Sequence, residues 1–93
     1  MMDHTVMTQH RLIWDGECGF CRCWVELVLA RDERGVIRAE PYQVCPHPPM
    51  RREWIPLCEK AVQVVTTGGK RLAGGRAVLF LLAEVGRHPF LMR

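Results

Sequence analysis

A chain of 93 residues has room for one modest hydrophobic core, which excludes a second independently folded domain. With 48% hydrophobic and 25% charged residues, its composition is that of a packed globular protein, not of a disordered or fibrous one. The formal charge of +3 comes from basic residues scattered from Arg11 to Arg93 without a block, which argues against a nucleic-acid partner.

Residues 1–10 lack the apolar run of a signal peptide, and the longest apolar stretch, 77–83, is too short to cross a bilayer. The expectation is a cytoplasmic protein with no membrane partner, a flexible segment over 1–10 and a single domain over 11–93. The five cysteines, Cys18, Cys21, Cys23, Cys45 and Cys58, are an odd number, so they cannot all pair within one chain. In a reducing compartment a C-x-x-C pair points to redox chemistry or metal.

The apolar run Leu12-Ile13-Trp14 predicts a strand over 11–14, broken at Asp15-Gly16. Cys21, Trp24, Val25 and Val28 then fall at i, i+3, i+4 and i+7, a helical stripe predicted to continue to about Arg34. Gly35 fits the left-handed position past a helix end. A second strand is predicted over 36–40, with Pro41 at its end or near a sheet edge. Prolines 46, 48, 49 and 56 exclude a long helix in the middle and permit one short turn over 51–54. The β-branched run 61–66, the glycines 68 and 69, and residues 70–73 predict an antiparallel hairpin. Gly74-Gly75 opens a last helix over 76–85, apolar on most faces, predicted to be largely buried and stopped by Gly86 and Pro89. The order β-α-β-short α-β-β-α suits an α/β layer fold with a compact mixed sheet.

A dithiol cycles only if its sulfurs can meet, and two intervening residues at a helix start hold them at disulfide distance. Cys18, at the helix N-terminus, is expected to have a lowered pKa from the helix dipole and unpaired N–H groups, opposed by the charges of Glu17 and Asp15. The balance predicts a moderately acidic thiol and a reducing-leaning couple. Cys21 begins the apolar stripe, so its sulfur faces inward; Cys18 is the expected nucleophile and Cys21 the resolving thiol. Asp15 either shapes the turn or relays a proton to Cys21.

The remaining residues have simpler expectations. Cys23 lies about 200° around the helix from Cys21 and is a bystander or a secondary oxidation site. Cys45, His47 and Cys58 are loop or buried thiols and a loop imidazole, or join Cys18 and Cys21 as zinc ligands. Trp14, Trp24 and Trp54 are core or core-edge aromatics, with Trp14 beside the dithiol able to shape access to it. The basic pairs Arg51-Arg52 and Lys70-Arg71 are expected to be solvated surface.

The segment Trp14-Asp15-Gly16-Glu17-Cys18-Gly19-Phe20-Cys21 resembles the D-G-x-C-x-x-C signature of the thiol-disulfide oxidoreductase DCC family. Residues 31–38 are similar to that family's Asp-rich helix end, glycine and strand, and residues 74–86 to its Gly-x-x-Ala start of a hydrophobic last helix. The resemblance implies a thioredoxin-like fold, with Cys18 and Cys21 as the redox pair and Asp15 as the signature acid. Where thioredoxin-like enzymes usually carry a cis-proline before the strand facing the dithiol, this chain has Glu59-Lys60 ahead of Ala61.

The expected function is thiol-disulfide exchange with a protein or low-molecular-weight thiol or disulfide, using no bound cofactor and no metal. The rivals are a small zinc-binding module and a non-catalytic thioredoxin-like interaction domain.

Overall fold

The structure, a computed structural model, describes residues 8–47 and 49–86. Strand β1 (His10–Trp14) leads into helix α1 (Gly19–Ala30), strand β2 (Ile37–Pro41), a single 3-10 turn (Arg52–Trp54) and helix α2 (Ile55–Lys60). Strands β3 (Gln63–Val65) and β4 (Arg71–Ala73) and helix α3 (Gly74–Val85) complete the chain. The four strands form one mixed sheet in the order β2-β1-β3-β4. β1 is parallel to β2 and antiparallel to β3, and β3 is antiparallel to β4. The result is the expected compact α/β fold, with β1 as an interior strand.

The sheet separates two packed layers because alternate side chains of a strand point to opposite faces. Leu12, Trp14 and Val64 face α1 and α3, packing with Val25, Val28, Ala77 and Leu81. Ile13 and Val65 face the other way, against Cys45, Met50 and the α2 residue Cys58. Gln63, the buried polar residue of that second face, is satisfied: its amide donates to the carbonyls of Leu57 and Ala61 and its oxygen accepts from Arg71.

Several boundaries differ from the sequence reading for identifiable reasons. β1 already begins at His10, whose N–H donates to the Val36 carbonyl; residues 1–7 of the segment expected to be flexible lie outside the described residues. Helix α1 ends at Ala30 and not near Arg34, because the Asp32 carboxylate accepts the N–H groups of Val36 and Ile37 at 3.0 and 2.9 Å and turns the chain into β2. Gly35 does take a left-handed conformation (φ +67°), but inside that turn and not directly at the helix end. Pro41 is tolerated as the last residue of β2 because β2 is an edge strand. In the proline-rich middle, the chain forms α2 in addition to the short turn; Pro56 falls in its first turn, where an N–H would have no helical partner anyway.

The hairpin closes through Gly69 (φ +90°), with Thr66 N–H donating to Lys70 O and Gly69 N–H to Thr66 O, both at 2.8 Å. β4 then runs directly into α3, Gly74 taking φ +58° and donating its N–H to Val62 O at 3.0 Å. The expectation that α3 is largely buried is not met. Ala77 and Leu81 are fully buried, whereas Leu79 is 70% exposed and Leu82 48% exposed, since α3 covers only one face of a thin sheet layer. The expected stop at Pro89 lies outside the described residues.

The two faces of α3 should separate on substitution. Leu81→Ala is expected to cost about 2–5 kcal/mol in urea unfolding, while Leu79→Ala stays within about 0.5 kcal/mol of the parent.

Candidate dithiol site

Of the three residues singled out in the sequence, Asp15 and Cys18 lie on the connection between β1 and α1, at the C-terminal end of an interior strand, and Cys21 lies in the first turn of α1. Asp15 and Gly16 make the turn: the Asp15 carbonyl accepts the Cys18 N–H at 3.1 Å, and Asp15 Oδ1 accepts the Glu17 N–H at 3.0 Å. Cys18 is the N-cap residue of α1, in extended conformation, and its sulfur accepts the Cys21 N–H at 3.2 Å. A thiol in the N-cap position takes the role usually played by a Ser, Asp or Asn oxygen, and a negatively charged sulfur fits it better than a neutral one. Cys21, one turn on, is half-buried and packs against the core layer that contains Val25 and Ala77.

The two thiols are held in unequal states. The hydrogen bond from the Cys21 side chain, followed by the Cys21 backbone N–H, lowers the Cys18 pKa from its ordinary value; desolvation and, after it, the Asp15 charge oppose this. The opposing charge is thus that of Asp15, the residue the turn holds beside the sulfurs. Burial first, and the neighbouring Cys18 second, push Cys21 up to about 11. Asp15 itself is held below the ordinary carboxylate value by the Glu17 N–H and then by the Gln43 side chain. An anion stabilised in this way serves as a fixed acceptor shaping the turn, the simpler of its two expected roles.

Four neighbours complete the site, and none of their placements was read from the sequence. Gln43 Nε2 donates to Asp15 Oδ1 at 2.9 Å while its Oε1 accepts the Gly16 N–H at 3.1 Å. Arg22 Nη2 donates to Gly16 O at 2.9 Å, and its guanidinium lies 5.5 Å from the Trp14 ring centroid. Pro41 approaches so closely that a Cβ on Gly16 would lie 2.9 Å from its own Cβ. Tyr42 donates its N–H to Trp14 O at 2.7 Å and its hydroxyl to Glu59 at 3.1 Å. Sequence separation of 25 to 28 residues hides the Pro41 and Gln43 contacts; only the glycine of the Asp-Gly pair signals a close approach, without naming what approaches.

The other cysteines are placed apart from this pair. Cys23 is exposed on α1. Cys45 and Cys58 are buried on the opposite face of the sheet from Cys21, Cys45 within 3.6 Å of Glu40 Oε1. The donor set weighed for zinc is therefore divided between the two layers, and among the described residues no three His, Cys, Asp or Glu side chains are grouped as a metal ion would need. His47 is exposed and lines an open surface depression with Arg52 and Ile55. The three tryptophans sit in or at the edge of the core as expected, but the basic pairs are not merely solvated: Arg51 and Arg71 lie over the Trp54 ring at 5.8 and 5.5 Å. Among the described residues no helix is long and apolar enough to cross a membrane. No protein-family model, curated protein or solved structure matches the chain.

Two substitutions test the packing of the loop. Gly16→Ala is expected to lose about 1–3 kcal/mol of stability, because the rigid Pro41 ring cannot yield cheaply. Gly19→Ala meets nothing within 4 Å and is expected to be neutral or to gain about 0.4–1 kcal/mol in the same thermal or urea measurement.

Burial raises both Cys45 and Cys58 to about 11. Their neutral thiols favour the folded state below the ordinary thiol pKa, and that contribution is lost as the pH rises toward 11, because the unfolded chain releases the protons first. Unfolding free energy should therefore fall over this alkaline window, and less steeply in a Cys45→Ala variant.

Proposed function

We propose that this protein is a thioredoxin-like thiol-disulfide oxidoreductase of the DCC type, working through Cys18 and Cys21. The observation that carries the reading is the capping geometry: a cysteine at the N-cap of α1, its sulfur accepting the N–H of the second cysteine at 3.2 Å. Supporting it are the position of the pair after an interior strand of a mixed four-stranded sheet with helices on both faces, and the unequal thiols. The D-G-x-C-x-x-C signature has a physical role here too: Asp15 accepts within the turn, and Gly16 fits against Pro41.

In the reducing direction, the Cys18 thiolate attacks one sulfur of a substrate disulfide, forming a Cys18–substrate bond and releasing the other substrate sulfur as a thiolate that takes up a proton. Cys21 then loses its proton and attacks the Cys18 sulfur, displacing the second substrate thiolate. The substrate gains two electrons and two protons, and the chain holds a Cys18–Cys21 disulfide. A thiol donor, protein or low-molecular-weight, returns it to the dithiol by the reverse exchange. No cofactor enters these steps. A high Cys21 pKa delays the second attack until the first bond has formed and the Cys18 charge, one cause of that high value, is gone.

Loss of the cis-proline has a local counterpart. Ahead of β3, the Ala61 N–H donates to Leu57 O and the Ala61 carbonyl accepts from Gln63, so this backbone is already paired. Substrate recognition then falls to side chains near the dithiol, among them the exposed Phe20.

Exposed apolar side chains such as Phe20 and Val44 also favour, as a second reading, a docking domain with an inert dithiol. Mass spectrometry with and without reductant, with alkylation mapping, separates the two. The redox reading expects reversible loss of two hydrogens at Cys18 and Cys21, no turnover of a disulfide substrate in Cys18→Ser, and a trapped mixed disulfide in Cys21→Ser. A dithiol that an excess of oxidised glutathione leaves unchanged would overturn it.

A further inference from the structure

We propose that Gln43 is a positioning residue for the dithiol, tethering the turn that carries Cys18 to the end of strand β2. The inference rests on the redox reading for its purpose, though not for its geometry. Gln43 is two residues beyond β2, and its carboxamide engages both members of the Asp-Gly pair, donating to Asp15 Oδ1 and accepting from the Gly16 N–H. The same glycine is held on its carbonyl by Arg22 and pressed on its Cα by Pro41. Three directions of movement are thereby blocked, and the Cys18 N–H, bonded to Asp15 O, inherits the fixed position.

What this does chemically follows from the chain of bonds. With Gln43 in place, Asp15 stays turned to accept the Glu17 N–H, and Cys18 stays at the head of α1 with its sulfur on the Cys21 N–H. Without it, the Asp15 carboxylate is held by the Glu17 N–H alone, has more freedom to turn toward the sulfurs, and the capping geometry loosens. Both changes disfavour the Cys18 thiolate, one by added negative charge and one by a lost hydrogen bond. The charged and titratable groups around the turn are Asp15 and Glu17 on the turn, Cys21 and Arg22 on α1, and the Tyr42–Glu59 pair across from it. Gln43 carries no charge at any pH and donates to a carboxylate while accepting from a backbone amide, which neither a carboxylate nor a lysine could do.

The test is the pH profile of Cys18 alkylation by iodoacetamide, followed by mass mapping, in the parent, Gln43→Met and Gln43→Glu proteins. Gln43→Met keeps the length of the side chain and removes both hydrogen bonds; its Cys18 midpoint is expected to move upward, slowing alkylation at neutral pH by about threefold. Gln43→Glu places a carboxylate against Asp15 and should move the midpoint further in the same direction. Thermal melting of each variant supplies the control, since Gln43 is exposed and a purely structural residue would change the melting temperature alone. An unmoved or lowered midpoint in both variants overturns the proposal. Alkylation does not require the dithiol to cycle, so a parent protein that resists oxidation would defeat the redox reading while leaving this result legible.

Discussion

Gly16 lies where a Cβ would come within 2.9 Å of Pro41 Cβ, and this approach fixes the relation between the two strands that flank the dithiol. β1 and β2 are parallel neighbours, so their C-terminal ends lie side by side, with Trp14 paired to Pro41. The chain leaving β1 must turn immediately to enter α1, and the chain leaving β2 must pass the same point. A glycine lets the two segments share that space. A residue with a side chain there would push the turn outward and take Cys18 with it. The close packing of backbone on proline ring is thus the constraint from which the capping geometry, the Asp15 hydrogen bonds and the Gln43 bridge all follow.

The inequality of Cys18 and Cys21 is a second consequence of the same placement. Cys18 precedes the helix and belongs to the turn, so its sulfur meets N–H groups with no helical partner. Cys21 is inside the helix, on the stripe that packs against the core, so its sulfur meets apolar neighbours. One position stabilises a negative charge and the other resists it. Shifting the helix start by one residue would take the Cys18 sulfur off the N-cap position and turn the stripe that begins at Cys21 by about 100°, which is why the turn must be held firmly. Asp15 works against the thiolate through its charge, and the loop tolerates it because the carboxylate is occupied by two donors directed away from that role.

Local patterns made the order of elements legible in the sequence. The apolar run 12–14, the stripe from Cys21 to Val28, the hairpin glycines and the opening of α3 at Gly74-Gly75 are all short-range signals. The differences have separate causes. Helix α1 ends early because Asp32 caps the start of the next strand, the expected short middle helix runs on past 51–54 to Lys60 because Pro56 falls in its first turn, and α3 is half exposed because the layer beneath it is narrow. The first two are decided within a few residues, by a side-chain acceptor and a helix position that apolar periodicity does not register, and the third by the size of the core. The candidate site divides by distance along the chain: Asp15, Cys18 and Cys21 are close in sequence and visible, whereas Pro41 and Gln43 reach the turn only after β2 has paired with β1.

The two layers of the core also sort the thiols by chemical availability. Cys45 and Cys58 lie under the sheet with Ile13, Met50 and Val65, where burial raises both pKa values and disfavours their thiolates. The alternation of β1 is what divides them: Leu12 and Trp14 point to the layer that supports Cys21, Ile13 to the layer that seals the others. An interior strand with apolar residues on both faces thus places the sheet between Cys21 and the two buried thiols. Cys23 is the exception, exposed on α1 about 200° around the helix from Cys21 and so on another face.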